Sequence, residues 1–461
     1  MESSMKYGND VESQKNMRCL DKINNLPDEL LVLILSFLPT WYAVRTSILS
    51  RRWRYLFTLT DCLSFDDAPC IKYRDDIKIN EPASKKMFKK FVYEFLKVHK
   101  KSPIRKFSLV CQYTYNKSDL NTWVKHVVER GVQEVHYHVD KNELSDDLVM
   151  CKTLVNLKVE GYFLYHNMQI PLSSWLPSLK ILHLNLVRFI DDHSFERLLS
   201  SCEFLEELTL DFCILSTKDH VTISLGQLRV LKITYCYVRK GFFEIEAPKL
   251  AYLTYYSIVG VKVVPLWKYS CSLVKAELHF DSQANDRSFE DDRDILRGAA
   301  HKTTELHLLY DSVQFLLMTD DIGQVPNFHS LSILHLSYFS YDSWKYVTSV
   351  LDKSPQLETV IFEQGRLHCH HYFSVPPPNE TLVPFSCNVK VIEVRDFCSH
   401  EGLLLLLGHL LINARVLKEF IVRKSHGFDD MENALQISKD LLMLPKASSD
   451  CCIELIDFGA F

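Results

Sequence analysis

His368, Cys369, His370 and His371 form the one local run of metal-ligating side chains in the sequence. A zinc ion needs ligands arranged around a tetrahedron, and adjacent residues on a short loop rarely converge on one ion; no second ligand pair follows nearby. The run reads as a loop ahead of Pro376 to Pro378, and no metal centre is expected. Paired carboxylates at Asp191-Asp192 and Asp291-Asp292-Arg293-Asp294 could move protons, but neither has an evident base or nucleophile beside it. Both suit helix starts or solvated loops. Fourteen cysteines run from Cys19 to Cys452 with no C-x-x-C pair, which argues against a zinc module or a redox dithiol. No G-x-x-x-x-G-K-[ST], G-x-G-x-x-G, G-x-S-x-G or H-E-x-x-H is present, and only 13 glycines serve the chain. The residues point away from bond chemistry: no catalytic residue and no cofactor is expected.

The elements that carry these residues belong to an ordinary globular chain. With 461 residues there is material for about three domains of ~150 residues, enough to bury large cores without disulfides. Apolar residues make up 47% and charged residues 24%, which excludes collagen, coiled coil and wholesale disorder. The formal charge of -5 predicts no pull toward nucleic acid or membrane. The longest apolar runs, Leu30 to Leu38 and Leu403 to Ile412, are shorter than the ~18 residues of a membrane span. The start, MESSMKYGNDVESQKNMRC, has no apolar signal core. Reduced thiols and a location in the cytoplasm and/or nucleus are expected.

After a polar lead over 1–19, Leu26-Pro27-Asp28-Glu29-Leu30 opens a helix that Pro39 stops. Its body from Leu30 to Leu38 is apolar on every face, so it must be covered all round. Short helices over Trp41–Ile48 and Ser50–Phe57 are too little material to cover it. Either the rest of the chain or a partner must do so. The Arg51-Arg52-Trp53-Arg54 cluster could touch nucleic acid, but a single basic cluster on an acidic chain suits a solvated or partner-facing helix.

The stretch LPDELLVLILSFLPTWYAVRTSILSRRWRYLF resembles an F-box. The matches are Leu26-Pro27, Glu29, Ile34 to Leu38, Val44 and Leu49 to Arg54, with Phe57 where a Trp is usual. The resemblance implies binding to the Skp-type adaptor of a cullin–RING ubiquitin ligase. It assigns that contact, or its immediate support, to Leu26, Pro27, Leu30, Ile34, Leu38, Leu49 and Trp53.

From about residue 100 an L-x-x-L-x-L pattern recurs, clearest at Leu179/Leu182/Leu184, Leu205/Leu208/Leu210, Leu228/Leu231/Ile233 and Leu331/Leu334/Leu336. Thirteen copies between Phe107 and Phe420 average about 26 residues, the period of leucine-rich repeats. In each copy the last two apolar positions make a short strand with one face inward, followed by a helix-like stretch such as 193–200 or 343–351. Stacked, these units predict an α/β solenoid: a parallel sheet on the concave side and helices on the convex side of a horseshoe. Cys213 and Cys236 fall at the turn position where such repeats accept Asn or Cys. The end of the chain, Val389 to Phe397 with a helix from about His400 to Asn413 and Leu442 to Ser449, resembles the FBD region of plant F-box proteins. The expected domains are a lead over 1–19, an F-box over 20–65, repeats over 66–374 and an FBD-like end over 375–461.

Residues between the inward pairs point out from the concave face. Aromatic, aliphatic and histidine side chains there are the candidate target contacts: His183, Lys232, Tyr256, His279, His307, His335 and Ile361. The reading is a non-catalytic substrate receptor of an SCF-type ligase. Its F-box would hold the adaptor, and through it cullin and RING subunits, while the repeats hold a target protein, with neither nucleic acid nor membrane as partner. The rival is a repeat scaffold or ligand sensor whose first helices only cap the solenoid. In that case the chain's own first repeats would cover the outer face of the apolar helix.

Overall fold

The computed structural model describes residues 23, 25–74, 77–79, 81–99, 102–139, 144–161, 166–191, 193–216, 220–256, 259–265, 273–280, 298–300, 302–309, 312, 326–337, 344–363, 388–397, 401–424 and 439–456. Two compact units divide the chain, 1–182 with 186–188, and 183–185 with 189–461.

The first unit opens with α1 (Asp28–Ser36). The Pro27 carbonyl accepts from the N–H groups of Leu30 (3.1 Å) and Leu31 (3.2 Å), so Pro27 is the cap rather than the first helical residue. Arg52 closes this start from outside, its Nε donating to Asp28 Oδ1 at 2.7 Å and its guanidinium also reaching the Leu26 carbonyl. The basic cluster therefore includes a clamp on the helix it follows. Next come α2 (Thr40–Arg45) and 3-10 turns over Thr46–Ile48 and Trp53–Leu59.

Parallel strands follow: β1 (Cys62–Asp66), β2 (Lys106–Cys111), β3 (Glu134–Val139) and β4 (Asn156–Glu160). Strand β1 lies inside the stretch that sequence reading gave to the F-box. The ladder therefore starts at Cys62 rather than beyond residue 66, and no linker separates the two parts. Leu63, Phe107, Val135 and Leu157 form one buried row, and Phe65, Leu109, Tyr137 and Val159 the next. Helix α3 (Glu81–Val98) lays Phe88, Val92 and Phe95 into this core. Its Phe91 and Phe95 meet Trp41 (4.7 Å) and Phe57 (5.8 Å) of the front module. At the end of β1, the buried carboxylate of Asp67 accepts from the Gln112 and Tyr113 N–H groups and the Tyr115 hydroxyl at 2.9–3.1 Å, tying β1 to the exit of β2.

Helix α4 (Lys117–Val128) ends in a Schellman turn. The Gly131 N–H bonds the Val128 carbonyl (3.0 Å), and the Val132 N–H bonds that of Val127 (3.3 Å). Gly131 has φ +73°, open only to glycine without strain. Gly131→Ala is expected to cost about 1–2 kcal/mol, read as a lower denaturation midpoint with an unchanged far-UV spectrum.

A fifth strand, β5 (Ile181–Asn185), stands where the chain divides. In the second unit the parallel ladder runs through β6 (Glu207–Asp211), β7 (Val230–Thr234), β8 (Tyr252–Tyr256), β9 (Lys275–His279) and β10 (Glu305–Leu309). It continues through β11 (Ile333–Ser337), β12 (Thr359–Glu363), β13 (Val391–Phe397), β14 (Glu419–Lys424) and β15 (Cys452–Ile456). Each central apolar residue read from the repeat, from Leu208 to Phe420, pairs in register with the next. Two ladder strands, β1 and β15, lie beyond the copies found by pattern.

Helices stand between strands at Ser194–Ser200, Trp344–Asp352 and Glu401–Asn413. Among the described residues from Leu210 to Lys275 the expectation of helices fails. Here Tyr237–Glu246 pairs in parallel with Ile214–Ser216, His220–Ser224 and Val259–Pro265, making a second small sheet. Steps of only 22–23 residues leave little room for a helix, and alternating runs such as Val221-Thr222-Ile223 favour strands. At the carboxyl end, the Ala447 N–H bonds the Leu411 carbonyl (3.0 Å) and Ser448 Oγ bonds that of Leu417 (2.6 Å), holding the tail onto the Glu401–Asn413 helix and the turn after it.

Candidate functional site

Helix α1 presents two unlike faces. Leu31 and Leu35 are buried and the helix packs on the Trp53–Leu59 turn, whereas Leu30 (45% exposed), Leu33, Ile34 (42%), Phe37 (78%) and Leu38 face out. Ile48 and Leu49 extend the exposed apolar area. The all-round covering that the sequence demanded is supplied on one side only by the described residues. An internal cap would need Leu30, Ile34 and Phe37 covered by the chain's own repeats, and among the described residues they are not.

Of the seven candidate adaptor residues, Pro27, Leu30, Ile34, Leu38 and Leu49 are exposed and Leu26 is half-buried. Trp53 is the exception: at 4% exposure it sits in the core beneath α1, so it supports the face and cannot touch a partner. Leu33, Phe37 and Ile48 were missed. Leu30, Leu33, Ile34 and Phe37 lie at helical spacing, a signal masked because every residue around them is apolar as well.

The second surface is the outward face of the ladder in the second unit. The outward row expected from the pattern exists: Lys232 pairs in register with Thr209 and Thr254, and Glu277, His307, His335, Ile361 and Glu393 continue the row. Tyr256 and His279 meet edge to face at 5.3 Å, with the Tyr256 hydroxyl donating to Glu277 Oε1 at 2.7 Å. Tyr235 joins Tyr256 at 5.5 Å and stacks on Phe212 at 4.9 Å. Lys232 is exposed, while His183 and Ile361 are half-buried.

Phe212 and Tyr235 were not anticipated. Each takes a left-handed backbone (φ 48° and 50°) as the chain leaves its strand, just before the buried Cys213 and Cys236. Cys213 Sγ donates to the carbonyls of Leu184 and Asp211 (3.4 Å each), and Cys236 Sγ to that of Thr234 (3.5 Å). The turn role expected of these cysteines is the one they have. The aromatic residue ahead of each cysteine was the legible sign of the outward aromatic pair.

His307 and His335 stack at 3.9 Å with rings 6° apart, and His335 Nε2 lies 3.0 Å from Glu363 Oε2. Ser337 Oγ stands 2.8 Å from His307 Nε2 and donates to Glu363 at 3.0 Å. Hydrogen bonding from His335, then from Ser337, holds Glu363 down at about 2. Burial, and then the neighbouring His335, pushes His307 down to about 4. An unfolded histidine takes its proton near 6.5, so the stability this neutral imidazole contributes is complete above that pH and is lost as pH falls toward 4. Burial lowers His126 to about 4 as well. The melting temperature of the chain is expected to fall between pH 7 and pH 5, and His307→Gln is expected to flatten that fall in a pH series.

Burial raises the thiols of Cys62, Cys70 and Cys202 to about 11, leaving these three protonated at neutral pH. Among the described residues, His136/His138/Glu160 and His307/His335/Glu363 are the groups with enough ligand atoms close together for a metal ion. His368 to His371 and Asp291 to Asp294 lie outside the described residues. Asp191 accepts from Ser194 Oγ, the His193 N–H and Arg197, a helix-start role.

Comparison with known proteins agrees with this arrangement. Residues 23–64 match the F-box domain family, and residues 95–448 match the leucine-rich-repeat family described as At1g61320/AtMIF1, LRR domain. The chain is 31% identical to the putative F-box protein At3g44060 of Arabidopsis thaliana, over 94% of this chain and 99% of that one. It is 35% identical to the F-box/LRR-repeat protein At1g06630 of the same plant, over 74% and 85%. The exposed helix face, the parallel ladder and these matches place the chain in the plant F-box/leucine-rich-repeat family.

Proposed function

We propose that this protein is the substrate-receptor subunit of an SCF-type cullin–RING ubiquitin ligase. The exposed face of α1, with Ile48 and Leu49, would hold a Skp-type adaptor and through it the cullin and RING subunits. The outward face around Tyr235, Tyr256, His279, His307 and His335 would hold a target protein. The observation that carries the reading is the apolar face of Leu30, Leu33, Ile34, Phe37 and Leu38 left open to solvent on a helix whose other side is buried. A contiguous apolar patch of this kind marks a protein interface. Rigid strands presenting aromatics beside histidines suit the centre of a second interface.

In this role no residue of the chain makes or breaks bonds. Holding a target and a ligase assembly on one chain raises the effective concentration of target lysines near the loaded conjugating enzyme. The FBD-like end over 375–461 is proposed to finish the ladder, as terminal units must. Co-expression of the full chain with a plant Skp-type adaptor tests the reading. Co-elution as one complex is expected, and separate elution of two soluble proteins would refute it.

A further inference from the structure

His136 and His138 stand two residues apart on β3, so both imidazoles rise from the same face of one strand. Glu160 on β4 is the register partner of His138, which brings a carboxylate beside the pair from the next strand. The three offer ligand atoms that all lie within 4.8 Å of one another. We propose that His136, His138 and Glu160 form a binding site for a divalent transition metal of the zinc class, with open positions facing solvent.

Two imidazoles and one carboxylate are a ligand set that zinc, cobalt and nickel accept, each offering one atom about 2.0–2.2 Å from the ion. Ligand atoms around one tetrahedral ion stand about 3.3 Å apart, so rotations of about an ångström close the set. His136 Nε2 already lies 2.5 Å from Glu160 Oε2. Ser108 Oγ, 3.3 Å from His136 Nδ1, holds that ring from its far side, the support a ligating histidine usually has. Asp66 stands in the same register column and adds negative charge. The side chains of His136 and Glu160 are 29% and 20% exposed, enough to leave the ion open to water or to a side chain of a bound protein.

One group opposes a cation: Lys158 Nζ, 2.9 Å from Glu160 Oε1, where it neutralises the carboxylate. It leaves Oε2 to the histidine, so metal and ammonium compete for one carboxylate without excluding each other. The second histidine group suits a metal less well. An ion must lie near the plane of each imidazole that binds it, and the parallel rings of His307 and His335, 3.9 Å apart, share no such point without tilting. His136 and His138, with rings inclined by 38°, have planes that meet.

The test is titration of the purified full chain with Zn2+ by calorimetry and with Co2+ by visible absorption, at pH 7.5. One equivalent is expected, with ligand-field bands, no thiolate charge-transfer band, and a higher melting temperature with metal than without. Glu160→Gln and His138→Gln should each weaken that equivalent more than tenfold, and His335→Gln should leave it unchanged. Lys158→Met should tighten it severalfold, a gain that no folding defect could imitate. Titrations of Glu160→Gln and Lys158→Met that match the unaltered chain would overturn the proposal. So would loss of the equivalent in His335→Gln, or a thiolate spectrum. None of these residues belongs to the F-box, so the result is independent of adaptor binding.

Discussion

Leu30→Glu combined with Ile34→Glu is expected to weaken capture of a Skp-type adaptor several-hundredfold, measured by titrating labelled adaptor with the purified chain. Both side chains lie on the open face of α1, so neither change disturbs the core and the melting temperature should move little. In a complex each glutamate would sit in an apolar interface without a partner. The loss of a buried aliphatic contact and the burial of an uncompensated charge amount to about 2 kcal/mol per site, or about 4 kcal/mol together. Leu31→Glu, one position from Leu30 but on the buried face, should instead unfold the module. Comparing the three proteins by melting and by adaptor titration separates an interface from a core. Retained affinity in the double variant would remove the adaptor from this face.

Trp123→Ala is expected to cost about 3–5 kcal/mol of stability. Trp123 is wholly buried on α4 and meets Phe88, Tyr93 and Tyr115 at centroid distances of 5.9, 6.0 and 5.7 Å, all near edge to face. Truncation would remove a large apolar surface and three aromatic pairs, each worth about 0.5–1.5 kcal/mol beyond its area. Trp123→Phe should recover a good part of that loss. Trp175, 54% exposed, provides the contrast: Trp175→Ala removes a Lys152 cation–π contact at 5.2 Å and should cost about 1 kcal/mol or less. Denaturant midpoints of the three proteins give the order directly.

Much of the ladder was legible because its signal repeats. The alternation at Leu208, Leu231 and Leu253 fixes which side chains face inward, and one slip of register would turn all of them to solvent. Even the weak copies at Ala276 and Leu306 pair where the pattern puts them. The first ladder strand of the first unit and the last of the second were not legible: Leu63 lies inside a stretch claimed by a stronger local motif, and Ile453 follows the last recognisable copy. The small sheet around Tyr237–Glu246 was missed because its alternating runs, such as Val221-Thr222-Ile223, are too short to stand out from the repeat they interrupt.

For the sites, the F-box motif located the right helix but could not sort its faces. Trp53 and Leu49 belong to the same short motif, yet one is core and the other surface. Which is which depends on the Trp53–Leu59 turn folding back under α1. His136, His138 and Glu160 were each visible as outward residues. Their conjunction was not, because Glu160 comes from the neighbouring repeat and only strand register brings it beside His138.

The entry of β1 into the first unit's sheet has a mechanical meaning. The module carrying the open helix face and the first ladder strands share one aromatic core through Trp41, Phe57, Phe65, Phe91 and Phe95, with no flexible spacer between them. A tethered receptor would let its cargo sample many distances and would depend weakly on linker length. Here the joint behaves as a bracket. Any protein seated on α1 holds a set angle to strands β1 to β4, and an insertion between Thr60 and Cys62 should act like bending that bracket rather than lengthening a rope.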